Sequence, residues 1–255
     1  MRSFFQSLER ESVRYLLISG QASILYGAAT FSEDVDLWIE PSAANIDRLV
    51  EALRRCKAVA HKLTPPLTVR NFRHGHGFHF RVPSPGGSEW YLDVMGKPPR
   101  VGGFSVAARR AAQFETPWGT IPVVAIQDLV ELKKTRRLAD YDVISNLACI
   151  RLRTSARITR PLLQWALRNV FRVEDAQWVL ERWPAARSLP VVRERTLSIA
   201  GIAREIAVLQ RNDMRYWSPI IDELRTMRKS GVLLVEGTPI QAIDKKRPRA
   251  VRPFR

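Results

Sequence analysis

The sequence predicts an α+β protein, with a mixed sheet and flanking helices over residues 1–152 and a mostly helical region over residues 153–244. In the first part, short apolar runs that end at turn residues alternate with helical patterns, which is typical of strands and helices in one layered unit. From Thr154 onward the pattern is helical and no clear strand signal recurs. Residues 245–255 (KKRPRAVRPFR) are basic, contain proline and lack acids, so this tail is predicted to be disordered in isolation.

Each predicted element of the first part rests on a local pattern. Apolar runs and polar–apolar alternation predict strands, and apolar residues on one helical face predict helices. In chain order the patterns predict a strand at Arg14–Ile18, a helix at Gln21–Tyr26, a strand at Asp34–Glu40, a helix at Ala43–Cys56, a strand pair at Phe78–Val82 and Trp90–Met95, a hairpin of Ala111–Glu115 and Thr120–Val124, and helices at Ile126–Arg137 and Asp140–Ile150.

The composition excludes several classes of protein. No apolar run reaches the roughly 18 residues that span a bilayer, and the first residues lack a secretory apolar segment. The chain has only 2 cysteines and no CxxC pair, which argues against a disulfide scaffold. We therefore expect a cytoplasmic protein with reduced thiols and no membrane partner.

Helical patterns also predict the elements of the second part of the chain. The predicted helices are Arg160–Val170, Val173–Arg182, Val191–Gln210 and the amphipathic Tyr216–Lys229.

The net charge of +16 is unevenly distributed. Residues 1–150 hold 19 basic and 15 acidic side chains, whereas residues 151–255 hold 22 and 10. The excess in the second half is mostly arginine, which binds phosphate groups in a planar, bidentate way. This asymmetry predicts a polyanionic partner, RNA or DNA, on the second half. The alternative is a solvated basic face in a chain from a genome that favours arginine codons.

Three aspartates carry the strongest chemical signal. Asp34 and Asp36 are two residues apart in a predicted strand, so they share one face, while Asp93 lies in a later apolar strand. Adjacent carboxylates repel each other in a low-dielectric site, and the usual reason to hold them there is a divalent metal. Hard oxygen ligands suit Mg²⁺ or Mn²⁺. A third carboxylate on a neighbouring strand completes a site of the kind used in two-metal phosphoryl chemistry.

The order of these features resembles the nucleotidyltransferase superfamily built on the DNA polymerase β-like palm. The matching segments are ISGQASILYG, DVDLWIE and WYLDVMG, with 13 residues between Gly20 and Asp34. The later stretch IQDLVELKKTRRLADYDVISNL is similar to the segment that follows the palm in bacterial minimal and abortive-infection toxin-type nucleotidyltransferases. The resemblance covers about residues 10–150. It specifies nothing for residues 151–255.

The resemblance implies a Mg²⁺-dependent enzyme that transfers a nucleoside monophosphate from an NTP to an acceptor hydroxyl. Asp34 and Asp36 would ligate the metal, and Asp93 would join a second metal or act as the base on the acceptor. The acceptor would be RNA, such as a tRNA 3′ end, or a protein. A toxin–antitoxin or defence setting, with an antitoxin as protein partner, follows from family analogy alone.

The resemblance also implies which residues bind the nucleotide. Ser19 and Gly20 would hold the phosphates, because glycine lets a backbone approach closely. Lys133 and Lys134 would contact triphosphate oxygens and offset developing charge. The small pair here is Ser then Gly, whereas the family has Gly first, and no Arg precedes Asp-x-Asp in residues 28–32. A phosphate contact is therefore either missing or supplied from elsewhere, and Asp140 and Asp142 compete for one position near the cleft.

Two further functions are compatible with the same residues. A catalytically silent nucleic-acid-binding module on the same fold would bind in a salt-dependent way without needing the aspartates. A small-molecule nucleotidyltransferase acting on an aminoglycoside-type acceptor would need an acidic pocket, and the basic chain argues against it.

Two motifs near the predicted site have alternative interpretations. Trp38 shares a strand face with Asp36 and either stacks on a base or belongs to the core. Three histidines lie in the segment RHGHGFH at residues 73–79, which contains no cysteine or carboxylate. Because of its glycines, we predict a mobile loop over the cleft rather than a tetrahedral zinc site.

Overall fold

The structure, a computed structural model, describes residues 1–84 and 87–240 and has the predicted α+β fold. The strands are β1 (Tyr15–Ile18), β2 (Asp34–Ile39), β3 (Val59–Ala60), β4 (Gly77–Pro83), β5 (Glu89–Met95), β6 (Ala112–Thr116) and β7 (Gly119–Val123). The helices are α1 (Arg2–Arg10), α2 (Ser19–Leu25), α3 (Ala43–Arg55), α4 (Val69–His74), α5 (Phe104–Ala108), α6 (Ile126–Lys133), α7 (Ala139–Thr154), α8 (Arg160–Asn169), α9 (Val173–Arg182), α10 (Pro190–Glu194) and α11 (Ile199–Lys229), with a 3₁₀ helix at Pro184–Ser188. The predicted disordered tail, residues 245–255, lies outside the described residues.

One mixed sheet of seven strands, in the order β3-β4-β5-β2-β1-β7-β6, organises the first part of the chain. At its centre β2 pairs antiparallel with β1 and parallel with β5. Val35 and Leu37 of β2 are fully buried, whereas Asp34 and Asp36 are only partly buried. The alternation in the sequence therefore turns one face of β2 into the core and leaves its carboxylates on the other.

The segment with three histidines is ordered secondary structure, so the prediction of a mobile loop is wrong. Helix α4 ends at His74, Gly75 closes it in a left-handed conformation with φ of 92°, and β4 begins at Gly77. Glycine is the usual residue at such a helix end because it has no side chain to clash. His76, between the two, is fully buried.

Trp38 belongs to the core, which decides between its two interpretations. Its side chain is 1% exposed, and its Nε1 donates a hydrogen bond of 3.1 Å to the carbonyl of Gly96. It packs edge-on against Phe104 with ring centroids 5.7 Å apart. A side chain so enclosed has no free face on which a base could stack.

The last two predicted helices are divided differently in the structure, because α11 joins most of the predicted Val191–Gln210 to the predicted Tyr216–Lys229. The predicted single helix Val191–Gln210 is two helices, because α10 ends at Glu194 and α11 starts only after Ser198, whose hydroxyl accepts a hydrogen bond from the backbone N–H of Gly201. Helix α11 then continues through Pro219 to Lys229. None of the described helices combines the length and apolar character needed to cross a membrane.

Helix α11 packs against the first part of the chain. Its Asp213 is 2% exposed and accepts hydrogen bonds from Arg100 (2.8 Å), the backbone N–H of Arg136 (3.1 Å) and Trp217 (3.2 Å). Ile202 and Ile206 join the main core around the sheet, whereas a second apolar cluster is built between Leu152 and Val191. The predicted boundary at residue 152 falls inside α7, close to its end.

The chain after α11 returns to the outer edge of the sheet. The backbone N–H of Gly237 donates to the carbonyl of Ala60 (2.8 Å), and that of Ile240 donates to Ala58 (3.0 Å). Ile240 is fully buried. The short edge strand β3 is thus covered by a segment almost 180 residues away in sequence, as the isolated bridge between Val59 and Pro239 also shows.

We expect Asp213→Asn to lower the free energy of unfolding by roughly 3 kcal/mol, because it leaves Arg100 without its buried countercharge. Chemical denaturation measures this difference. The matched control is Asp222→Asn on the same helix, whose ion pair with Arg225 is largely exposed and should cost under about 0.5 kcal/mol. Similar losses in both variants would contradict a structural role for the buried pair.

Candidate active site

Three carboxylates lie on one face at the centre of the sheet. In the parallel pair of β2 and β5, Asp36 is directly opposite Asp93, and Asp34 lies two residues before Asp36. Directly paired residues on adjacent strands project to the same side at a strand spacing of about 4.8 Å. The three aspartates singled out from the sequence are therefore neighbours, and their register follows from the pairing of two buried strands.

The electrostatics of this cluster disfavour three negative charges. Burial, followed by the charge of Asp93, raises the pKa of Asp36 to about 7, while a hydrogen bond with Ser19 acts in the opposite direction. Burial and Asp93 also raise the pKa of Asp34. A divalent cation would reverse both effects, and carboxylate oxygens are the donors that Mg²⁺ and Mn²⁺ prefer. The donor set thus fits such a metal.

Ser19 is held in a constrained position beside Asp36. It is the first residue of α2 and has φ of 59°, a left-handed conformation that serine rarely adopts. Its side chain hydrogen-bonds with Asp36, and its carbonyl accepts a hydrogen bond of 2.8 Å from the hydroxyl of Ser23. The turn between β1 and α2 thus aims the Ser19 hydroxyl at the carboxylate cluster.

Gly20 is packed against the loop that leads into β2. A Cβ atom at this position would lie 2.7 Å from the Cβ of Ser32 and would also overlap its hydroxyl oxygen. That hydroxyl donates a hydrogen bond of 3.0 Å to the carbonyl of Asp34. The absence of a side chain at Gly20 therefore lets Ser32 of the neighbouring loop pack directly against the backbone of Gly20. This packing helps to fix the start of β2 at Asp34.

Lys133 is buried at the end of α6 and pairs with Asp140. Its Nζ donates a hydrogen bond of 2.8 Å to Asp140, and its positive charge also acts on Asp36. Burial tends to raise the pKa of Asp140, but Lys133 and Thr135 lower it overall. Asp142 is exposed, so of the two competing aspartates it is Asp140 that contacts this lysine.

Lys134 has different surroundings. Its Nζ lies 2.6 Å from Glu131, and the side chain lines a cavity of about 440 Å³ in the helical part. Other residues of that cavity are Arg168, Arg195, Arg204 and Glu205. Lys134 thus pairs within α6 and borders a cavity of the helical part, whereas Lys133 pairs with Asp140 of α7.

Two residues near the carboxylates were not among the site residues predicted from the sequence, although His79 belongs to the histidine segment considered there. His79 lies opposite Asp93 in the pairing of β4 with β5, and its Nδ1 is 2.7 Å from Asp93 Oδ1. Lys62 lies 5.8 Å from the ring of Tyr91, and its charge lowers the pKa of Asp34. The alternating pattern of β4 could have revealed His79, whereas nothing local marks Lys62.

The chain is similar to several solved structures, of which two are described. No family model and no curated protein matches the sequence. An antigenic nucleotidyltransferase-like protein from Paracoccidioides brasiliensis is similar with 15% identity and a TM-score of 0.40, over 73% of this chain and 88% of that one. The lincosamide antibiotic adenylyltransferase LnuA, in its lincomycin-bound structure, is similar with 14% identity and a TM-score of 0.37, over 56% of this chain and 90% of that one.

We expect Gly20→Ala to destabilise the protein by about 1–3 kcal/mol, because the added methyl group overlaps Ser32. Denaturant unfolding measures the loss. The double variant with Ser32→Gly removes both contacting atoms and should recover much of the stability relative to Ser32→Gly alone. Additive losses in the two variants would contradict a direct clash.

In chelator, we expect the melting temperature to fall as the pH rises from about 5 to about 8. The folded protein keeps a proton on Asp36 up to a pKa of about 7, whereas the unfolded chain loses it near 3.8, so stability declines between these values. Thermal melts of the wild type and Asp36→Asn, with and without Mg²⁺, measure this. The variant should show a shallower decline, and Mg²⁺ should stabilise the wild type most at the upper pH. Equal slopes in both proteins would contradict the assignment.

Proposed function

We propose that the protein is a metal-dependent nucleotidyltransferase that transfers a nucleoside monophosphate from an NTP to an acceptor hydroxyl and releases pyrophosphate. The observation that carries this is the register of β2 with β5, which sets Asp36 opposite Asp93 and near Asp34, and in this arrangement the pKa values of Asp34 and Asp36 are raised. The sequence resemblance implies the same reaction.

In this proposal Asp34, Asp36 and Asp93 hold Mg²⁺ or Mn²⁺, which when bound would neutralise charge on the triphosphate and on the reacting oxygens. Asp93 accepts the proton of the acceptor hydroxyl or acts as a metal ligand. The contact of His79 with Oδ1 of Asp93 supports either role, because it orients the carboxylate and leaves Oδ2 for the reaction. Ser19 orients Asp36 from the other side.

Cationic side chains would bind the triphosphate. Lys133 is buried near Asp36, and its charge is balanced by Asp140, so it is available at the site without having to be desolvated on substrate binding. Lys62 acts electrostatically on Asp34 and supplies a positive charge from the loop after β3. We assign to Lys62 the phosphate contact that the family takes from an arginine absent in residues 28–32. Lys134 would serve the helical part instead.

The acceptor in this proposal is RNA, held by the helical part of the chain. In the described part, this region exposes a set of arginines that have no carboxylate partner, as a phosphate-binding surface would require. A toxin–antitoxin or defence role in the cytoplasm, with a protein antitoxin as partner, extends the family analogy. Among the described residues of this region, the exposed arginines without a carboxylate partner are Arg153, Arg157, Arg160, Arg182, Arg187, Arg193, Arg204, Arg211, Arg215 and Arg228.

A transfer assay tests the proposal. The purified protein is incubated with each α-³²P-labelled NTP, Mg²⁺ or Mn²⁺, and either total RNA or cell lysate. We expect label on RNA, and a loss of at least about 100-fold in Asp36→Asn, because a carboxylate that holds the metal is removed. The matched control is Asp47→Asn on α3, an exposed aspartate that should leave transfer unchanged. Label that persists in Asp36→Asn would contradict the assignment.

The same samples separate catalysis from binding alone. The exposed arginines also support a catalytically silent RNA-binding module, which would give no label under any condition. Such a module would bind RNA with an affinity that falls steeply with salt and is the same in Asp34→Asn as in the wild type. RNA binding together with transfer favours the enzyme, and RNA binding without transfer favours the module.

A further inference from the structure

A second group of metal-ligating side chains lies apart from the three aspartates. It consists of His74 at the end of α4, His76 just before β4, and Glu223 on α11. The sequence segment around the histidines contains no carboxylate, and the acid is contributed from almost 150 residues further along the chain. The fold thus completes a set of two imidazoles and one carboxylate that the sequence alone does not reveal.

Two distances within this group match those of a tetrahedral metal site. Glu223 Oε2 lies 3.0 Å from His76 Nε2 and 3.4 Å from His74 Nδ1. Ligand atoms about 2.0–2.1 Å from a tetrahedral zinc ion are separated by about 3.3 Å. The three ligand atoms all lie within 4.8 Å of one another, and rotation of the half-exposed His74 side chain would adjust the separation of the two nitrogens.

The group is held by the packing of α11 on the turn at Gly75. A Cβ at Gly75 would lie 3.2 Å from the Tyr216 hydroxyl and 3.6 Å from Ile220 Cδ1, so α11 approaches this turn directly. Tyr216, Ile220 and Glu223 are spaced four and three residues apart and lie on one helical face. The carboxylate is thus brought to the histidines by a packed interface.

His76 offers only one of its ring nitrogens to the group. Its side chain is fully buried, and Nε2 contacts Glu223, whereas Nδ1 has no partner in the described part of the chain. A metal on Nε2 would fix the proton on Nδ1 and leave that N–H without an acceptor, so the unpartnered Nδ1 does not itself indicate a metal.

The two oxygens of Glu223 have different neighbours. Oε2 faces both histidines, whereas Arg70 lies 3.7 Å from Oε1. Oε2 is therefore the oxygen that would bind a metal together with the two imidazoles.

We propose that His74, His76 and Glu223 bind a transition-metal ion of the Zn²⁺ class, which fastens α11 to the turn between α4 and β4. Nitrogen and oxygen donors in this combination select Zn²⁺ over Mg²⁺, since imidazole is a poor ligand for hard cations. Water supplies the fourth ligand. The site is separate from the aspartate cluster and does not depend on the proposed transfer activity.

Zinc binding by the full-length, chelator-treated protein tests this. Isothermal titration and metal analysis after gel filtration give the stoichiometry, and Co²⁺ substitution gives a visible spectrum that reports tetrahedral nitrogen-containing ligation. We expect Glu223→Gln and His74→Gln to weaken zinc binding at this site at least 10-fold and to lose the Co²⁺ spectrum. His74 is about half exposed, so its variant should fold normally, which circular dichroism verifies.

Two controls make the result decisive. His61→Gln removes a histidine that also contacts a glutamate, Glu236, outside the group, and should leave zinc binding and the Co²⁺ spectrum unchanged. Asp36→Asn tests whether zinc binds instead at the aspartates, and should also leave this site intact. Unchanged zinc binding in Glu223→Gln and His74→Gln, or loss of the Co²⁺ spectrum in Asp36→Asn, would overturn the proposal.

Zinc should also stabilise the packing of α11 against the turn between α4 and β4. Because a ligand that binds only the folded state raises the melting temperature, Zn²⁺ should shift the melt of the wild type upward. The shift should be absent in Glu223→Gln and retained in His61→Gln. An equal shift in all three proteins would overturn a role for Glu223 in metal binding.

Discussion

The parallel pairing of β2 with β5 is the interaction on which the rest of the site depends. A shift of one residue in this pairing would turn Asp93 to the opposite face of the sheet, because side chains alternate along a strand. The apolar residues on either side of Asp93 prevent such a shift, since Leu92 and Val94 would leave the core. Hydrophobic burial therefore fixes the positions of carboxylates that repel one another. The free energy gained by burying the apolar residues offsets this repulsion.

The elements around this pair reinforce its geometry from three directions. Gly20 packs on the loop before β2, His79 contacts Asp93 from β4, and Lys133 adds a positive charge from α6. None of these contacts is formed within one secondary-structure element. The site is consequently a property of the assembled sheet, and a change in any neighbouring strand would alter the charge balance at Asp36.

Local patterns were enough to predict the α+β class, most strands and the face shared by Asp34 and Asp36, because a period of two follows directly from strand geometry. Contacts between distant segments could not be predicted in this way. Nothing near His74 and His76 indicates that Glu223 would join them, and the buried Trp38 has the same local spacing as a pocket residue would have. The histidine segment was misinterpreted because its glycines, which are typical of loops, here end a helix and precede a strand.

The segment that follows α11 protects the β3 edge of the sheet from other chains. Its backbone groups satisfy the outer side of β3, through the hydrogen bonds of Gly237 and Ile240. An unpaired sheet edge is a template for intermolecular strand addition. A fragment cut at residue 152 would therefore expose both this edge and the apolar surface beneath α11. We therefore expect such a fragment to self-associate, because both surfaces are covered in the full chain by residues that follow the cut.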